Sequence, residues 1–523
     1  MRVEMPKLNV KEVMQREALA QARKDEWRSI YEDCYEFALP QRNLYNGYYE
    51  GKTPGKNKTQ RVFDSTAVSS TKRFANRLQS GLFPPMRQWC RLEPGSAVPE
   101  EQQERAQEIF DAYNDIMFDQ LRQTSFDLAM GEFLLDLCVG TAVMMITAGD
   151  EVTPIRFLAV PQYLVAIEEG AYGVVDNVYR KLRIKAEAIR KEYPDVNIST
   201  ELQAAIDDKP GEELDLFDAI IFDQQTGRYH YYVIWPSKSQ ELVYREMESS
   251  PFIVARFSKT AGEIYGRGPL IDAIADIKTL NKTKELILKN ASLSISGVFL
   301  AADDGVLNPQ NIKIQPGAII PVARNGGPQG ASLAPLPRAG DFNTSQIVIQ
   351  DLTMNIKKVL MDDSLPPDTM SARSATEIAQ RQRELATNLG SAFGRLMTEI
   401  MIPLVSRTLY VLDRQGFIRM PLKVNGVQVK VVPVSPLAEA PKMEEVNQLI
   451  SFMQIANALG PMGQTALNIS EIVGYIADKM GIDMKLLNTP EEQKNLMDKM
   501  QQAMMQEQQP EMPTDETVAG ALQ

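Results

Sequence analysis

Apolar positions recur at near-helical spacing from residue 10 to 38, at Met14, Ala18, Ala22, Ile30, Cys34 and Phe37, and Pro40 stops the run. This pattern predicts one amphipathic packing helix. After a Gly, Lys and Asn-rich loop over 46–60, a capped helix is expected from Ser65 to Ser80, ended by Gly81 and Pro84-Pro85, and another over about 100–124. From 141 to 260 the period shortens: "TAVMMITA", "IRFLAV", "YLVAIEE", "VVDNVYRKLRI", "YHYYVIW" and "FIVARFS" are β-rich runs divided by Gly, Pro and Asp. The second half returns to long helices. Pro269 suits a first helical turn, and the helix it opens reaches about Ser294, roughly 39 Å at 1.5 Å per residue. Short β runs and Gly/Pro turns occupy 297–341; a helix from about Thr344 to Met361 then places Val348, Leu352, Ile356, Val359 and Leu360 on one face.

That helix gives way to "DDSLPPDTMSAR", which Pro366-Pro367 keeps non-helical. A capping box, Ser374 with Glu377, opens a helix to Gly416, roughly 60 Å long and kinked at Pro403. Residues 437–506 read as helical and rich in Met and Gln, and 507–523 as a tail with little to bury. No internal repeat is visible. The fold class that follows is mixed α/β and multi-lobed, for a chain of 523 residues exceeds what one core usually organises.

Charge narrows the partners. A net charge of −12 argues against a freely exposed basic surface, so any contact with nucleic acid must be local or weak. Cys34, Cys90 and Cys138, 56 and 48 residues apart, fit neither a zinc site nor a disulfide framework and point to a reducing compartment. The opening "MRVEMPKLNV" has no apolar signal core, and the run Leu137 to Gly149 is too short to span a bilayer; the expectation is a soluble chain made in the cytoplasm.

Several stretches suggest chemistry, each with a plainer reading beside it. "GYYEGKT" (47–53) has three residues between Gly47 and Gly51 where a phosphate loop needs four, and Pro54-Gly55 stands where its helix would begin; it reads as a surface loop. Gly266-x-Gly268 before the 269 helix could cradle a phosphate, but lacks a third glycine and reads as a tight turn. His230, the only histidine, sits among aromatics in a strand and reads as packing, which leaves His-dependent triads without a base. Asp362-Asp363 could hold Mg²⁺ with further carboxylates, against the plainer reading of a solvated loop end. Lys278, Lys282, Glu285 and Lys289 fall within about 60° of helix circumference. They make either a solvated face with Glu–Lys pairs or a basic stripe facing DNA or a neighbouring subunit.

Two long helices bracketing a β-containing insertion, then a Pro loop, then a very long kinked helix, form a distinctive order. Together with "YEFALPQRN", "VFDSTAVSSTKRFANRLQSGLFPPMRQW", "GEIYGRGPLIDAIADIKTLN" and "MSARSATEIAQRQREL", it resembles the portal proteins, or head-to-tail connectors, of short-tailed, podovirus-type bacteriophages, over about residues 10–490. The resemblance implies an N-terminal part and α/β wing over 1–266, stem helices over 267–296 and 342–362, and a small β-containing clip over 297–341. It implies a tunnel loop over 363–373 facing DNA with Asp363, Ser364, Thr369, Met370 and Arg373, and a long kinked helix and return to the wing over 374–436. A helical crown would occupy 437–506 and a flexible tail 507–523.

It further implies a dodecameric ring at one capsid vertex that passes double-stranded DNA during packaging and ejection. Its partners would be the major capsid protein, scaffold protein, terminase large subunit and tail adaptor protein; it would be a virion component with no enzymatic activity, cofactor, metal or membrane contact. ATP hydrolysis would belong to the terminase. An acidic chain is compatible with a pore that must not grip phosphates. The alternatives are a nucleic-acid-processing enzyme of a phage and a capsid or scaffold component that forms no ring.

Overall fold

The computed structural model describes residues 7–45, 59–150, 152–296, 299–302, 319–322, 333–335, 342–362, 389–419, 428–458 and 468–479. It divides into two compact units, Met1–Val432 and Pro433–Gln523, and the fold is mixed α/β.

The strand-period segment of the sequence builds two antiparallel sheets. Strands β4 (Val165–Glu169), β5 (Val175–Lys185), β6 (Glu213–Asp223), β7 (Arg228–Trp235) and β8 (Gln240–Met247) pair in simple chain order. A second sheet has the order β3 (Ile155–Val160), β2 (Thr141–Ala148), β9 (Phe252–Arg256). Two short helices, α6 (Ile189–Glu192) and α7 (Thr200–Asp208), fill the connection between β5 and β6.

Helix α1 (Val10–Asp25) begins with a capping box in which Asn9 and Glu12 satisfy each other's backbone amides. Its Val13 and Ala20 pack on Ala166, Tyr179, Phe217, Ala219, Ile221, Tyr232 and Ile234 of the five-stranded sheet. The expected single helix over 10–38 is two. The chain turns at Glu26-Trp27, and α2 (Arg28–Phe37) buries Tyr31, Cys34 and Tyr35 instead. The break lets one segment cover the five-stranded sheet and the next reach a long helix, and it leaves Ala18 and Ala22, read as part of the packing face, exposed.

Helix α3 (Thr66–Leu82) forms where expected, but Ser65 makes no side-chain cap; the Asp64 carboxylate accepts from the Thr66 amide at 2.8 Å in its place. The helix runs through Gly81 and ends at Phe83, ahead of Pro84. After β1 (Cys90–Pro94) and α4 (Glu100–Arg122) comes α5 (Phe126–Leu137), which the periodicity does not announce. Seven of its twelve residues are buried, between α3 and strands β2 and β3, and its open face includes Leu128, so no clean polar stripe marks it. Around it Phe83, Trp89, Phe118, Phe126 and Phe157 interlock edge-to-face, with ring centroids 5.0–5.2 Å apart for Phe83–Trp89, Trp89–Phe118 and Phe126–Phe157.

Helix α8 (Pro269–Ser296) spans 28 residues, about 42 Å, and packs along α9 (Phe342–Val359). Between them, in the described residues, β10 (Phe299–Ala302) pairs parallel with β11 (Ile319–Val322) and antiparallel with β12 (Leu333–Pro335).

The described part of the long third helix is not continuous. Gly390, at φ 44°, interrupts it before Ser391–Leu396. A π-helical turn, Met397–Met401, follows, then the helix Ile402–Arg414, which ends at Gly416 with φ 83°. The wide turn falls immediately before Pro403, which has no N–H to donate and whose ring crowds the preceding turn, so the expected kink takes the form of a π-bulge. The Ser374–Glu377 capping box lies outside the described residues. In the second unit, Pro436–Ala458 and Ile469–Lys479 pack as a helical pair, with the Tyr475 hydroxyl donating to Glu445 at 3.0 Å.

Candidate functional site

The α8–α9 pair leaves apolar side chains open along part of its length, and its attachment begins at glycines. Gly268 N–H donates to Val139 O at 2.9 Å, Leu270 N–H to Cys138 O at 3.1 Å, and Gly266 N–H to Thr141 Oγ1 at 2.8 Å. A Cβ on Gly268 would lie 2.2 Å from Cys138 O, and one on Gly266 2.4 Å from Gly140 O. The glycines admit backbone against backbone, and their amides are already used. Gly266-x-Gly268 is a tight turn that docks the helix start on the end of α5, not an open phosphate cradle.

About three turns further along α8, Asn281 organises the entry to α3. Its Oδ1 accepts from the Phe63 amide at 2.7 Å and the Asp64 amide at 3.2 Å, and its Nδ2 donates to Arg61 O at 2.8 Å. Lys284 pairs with Asp64 beside it.

The lysine stripe is partly engaged within the subunit. Lys278 reaches Asp33 of α2 at 2.7 Å; Lys282 and Lys289 flank Glu285 at 2.9 and 2.5 Å. Both lysines on Glu285 hold its carboxyl below the usual range. The stripe thus carries two exposed cations braced on one carboxylate, and a third tied to its own chain.

At the same end of the pair, α9 closes with Met361 in the left-handed region at φ 52°, where the Asp362 amide donates back to Lys357 O at 2.7 Å. The Asp362 side chain is fully buried. It accepts from Ser70 Oγ at 2.7 Å and from Arg73 Nη1 at 3.2 Å, with Arg77 Nη2 3.9 Å away, while Arg77 also donates to Met361 O. The expectation of a solvated loop end at Asp362 is therefore corrected. A carboxylate this far from water persists because two guanidinium groups and a hydroxyl satisfy it, and together they fasten the end of α9 to α3. Asp363, Ser364, Thr369, Met370 and Arg373, and the loop at 47–53, lie outside the described residues.

A second buried charge node joins the β9 strand to the π-bulge. Arg256, 1% exposed, donates through Nη2 to Glu399 Oε1 at 2.7 Å and through Nη1 to Glu169 Oε1 at 2.9 Å. Lys259 also reaches Glu169, and Arg395 reaches Glu399 at 3.0 Å. Burial opposes the charge on Arg256, but the two carboxylates more than compensate and hold it ionised. Nothing in the sequence joins residues 143 positions apart; only packing does.

Helix α1 holds a lysine of a different kind. Lys24 is buried, donates to Tyr163 O and lies over the Tyr163 ring. Burial, reinforced by Lys181 and Arg28 and opposed by Asp25 and Glu17, lowers its pKa to about 7. His230 is buried with Nδ1 2.9 Å from the Tyr244 hydroxyl, stacked on that ring. Cys34, Cys90 and Cys138 are buried free thiols, and burial followed by Asp33 pushes Cys34 up to about 12. Among the described residues no group of three or more His, Cys, Asp or Glu is placed to hold a metal ion, and no helix is long and apolar enough to cross a membrane.

The exposed apolar residues of the helix pair are the remaining feature. Leu286 and Leu288 on α8 are each 55% exposed, and Ile347 and Met354 on α9 are 67% and 65% exposed, with Val348 beside them. Val348 was expected on the packing face; Ile356 and Leu360 alone of that set are fully buried.

Comparison with known proteins gives three results. Residues 10–487 match the model of the family described as bacteriophage head to tail connecting protein. The chain is 23% identical over 499 residues to the portal protein of Escherichia phage T7, covering 91% of this chain and 87% of that one. It is 23% identical to the portal protein of Enterobacteria phage T3, with 89% and 86% covered, and to the probable portal protein of Bordetella phage BPP-1, with the same shares. Among solved structures, a chain from the virion of a native gene transfer agent particle aligns with a TM-score of 0.35 at 14% identity, over 82% of this chain and 94% of that one.

Proposed function

The chain belongs to the bacteriophage head-to-tail connecting proteins, and from that premise we propose that its copies close into the portal ring through which double-stranded DNA is packaged and ejected. The observation that carries the ring is the apolar surface on α8 and α9, which one subunit leaves open. Heterologous contact between identical copies buries such a surface in every subunit at once and closes without a free edge.

In this reading α8 and α9 are the stem that surrounds the bore. Residues 297–341 are the clip that meets the terminase large subunit and later the tail adaptor. Residues 1–266 with 374–436 form the wing toward the major capsid protein and scaffold, 437–506 the crown, and 507–523 the tail. The ring is a dodecamer and a virion component, its chains are made in the host cytoplasm, and its role is structural rather than enzymatic. The loop over 363–373, with Asp363, Ser364, Thr369, Met370 and Arg373, narrows the bore with small, mostly uncharged side chains that do not hold phosphates strongly. The Asp362 anchorage supports this placement, since it fixes where the loop leaves α9.

The test is to assemble particles with Ser364–Met370 removed and to measure nuclease-protected DNA. Rings should form and full-length DNA should be retained less well. Equal content and equal retention over time would remove the loop from the channel, and failure to form rings would make the segment a subunit contact.

A further inference from the structure

The α3–α9 junction runs against the charge of the chain as a whole. Over 66–82 and 342–362 the sequence holds five cations, Lys72, Arg73, Arg77, Lys357 and Lys358, against two carboxylates, Asp351 and Asp362, whereas the full chain is net −12. One of those carboxylates is hidden. Asp362 lies beneath the arginines, so the surface presents Arg73, 58% exposed, and Arg77, 34% exposed, without it. Lys72 and Lys358 are exposed and Lys357 is half-buried. Among the described residues none of these three lysines is in an ion pair. Helix α9 therefore changes along its length: Ile347, Val348 and Met354 are apolar and open, and the last turn is cationic.

We propose that this α3–α9 face, Arg73 and Arg77 with Lys357 and Lys358, is where the subunit touches the phosphate backbone of DNA in the bore. The assignment rests on the portal reading above and adds to it the residues and the chemistry of contact. Phosphates suit it better than a neighbouring copy does, because lysine is depleted from the buried centres of protein interfaces while clustered cations of one sign are the footprint of a polyanion. The same arrangement keeps the contact weak. The Arg73 guanidinium is shared with the carboxylate beneath it, and the lysines are flexible point charges with no fixed geometry to match. Few counterions are released per subunit, so DNA is centred without being held.

The test uses full-length chain assembled into rings and a linear duplex of about 30 base pairs, with binding followed by fluorescence anisotropy from low to moderate salt. Lys357→Gln with Lys358→Gln is compared with Lys209→Gln plus Lys238→Gln, an equal charge change on exposed residues far along the chain from the face. The arginines are left alone because they satisfy a buried carboxylate. The first variant should lose roughly tenfold in affinity at low salt and flatten the dependence of log K on log salt by about one to two, and the second should not. Rings that bind DNA equally with and without Lys357 and Lys358, or equally weakened by both pairs, overturn the face but leave the portal reading. Loss of ring assembly in the first variant would make the face a subunit contact and also overturn it. Absence of rings from the unmodified chain would remove the portal reading itself.

Discussion

The five-stranded sheet and the α8–α9 pair solve the same problem in opposite ways. The sheet is covered by its own chain: α1 lies over Tyr179, Phe217, Tyr232 and Ile234, and all four are nearly inaccessible. The helix pair is fastened within the subunit at one end, where the Gly266–Gly268 turn starts α8 and Asp362 closes α9, yet leaves Leu286, Leu288, Ile347 and Met354 in the open. A region that buries its own apolar surface can fold alone. One that is held firmly at one end and exposes apolar side chains along the rest of its length is shaped for copies of itself.

The difference can be broken from the sheet side. Phe217→Ala empties space between α1 and the sheet, and should cost the isolated chain about 3–5 kcal/mol, read from the midpoint of a denaturant melt. A change near zero would mean that the sheet, too, depends on neighbours.

A smaller effect separates α1 from the rest by pH. Lys24 is depressed to about 7 when folded and returns to its ordinary value near 10.5 when unfolded. Between those values the unfolded chain binds more protons, so stability rises with pH from about 7 to 10 and is at its lowest, unchanging from this group, below 7. Lys24→Met should remove this rising contribution and raise stability at pH 6 by a few kcal/mol, on the order expected for burying an amine without a carboxylate. A Lys24→Met chain whose stability changes between pH 7 and 10 just as the unmodified chain's does would show that Lys24 contributes no slope.

What was legible in the sequence follows the same divide. The 269 and 344 helices and the strands from 141 to 256 carry clean periods, because each has one wet and one dry side, or turns that bound it. α5 had no such contrast, because its open face carries the apolar Leu128 beside Glu132, and the 10–38 segment kept a helical rhythm through a turn that only the placement of two different partners explains. The anchoring residues were hidden for another reason. Asp362 meets Ser70 and Arg73 from almost 300 positions away, and Arg256 meets Glu399 across 143, so their roles arise from folding and not from spacing. Asp362 read as a loop residue because its neighbours are loop-forming, although its side chain is among the least accessible in the chain.

The smallest expected effect on the monomer carries the largest consequence for assembly. Ile347→Ser with Met354→Ser, at positions open to water, should shift subunit stability by no more than about 0.5 kcal/mol. The most direct measurement is the mass of the purified chain by light scattering at micromolar concentration, with negative-stain images of the same sample. A dodecamer of a 58.6 kDa chain weighs roughly 700 kDa and should appear as rings with a central hole, and the Ile347→Ser, Met354→Ser chain should be folded but largely dissociated. An unmodified chain that stays at the mass of one subunit, or rings that form equally well without those two side chains, would contradict the account.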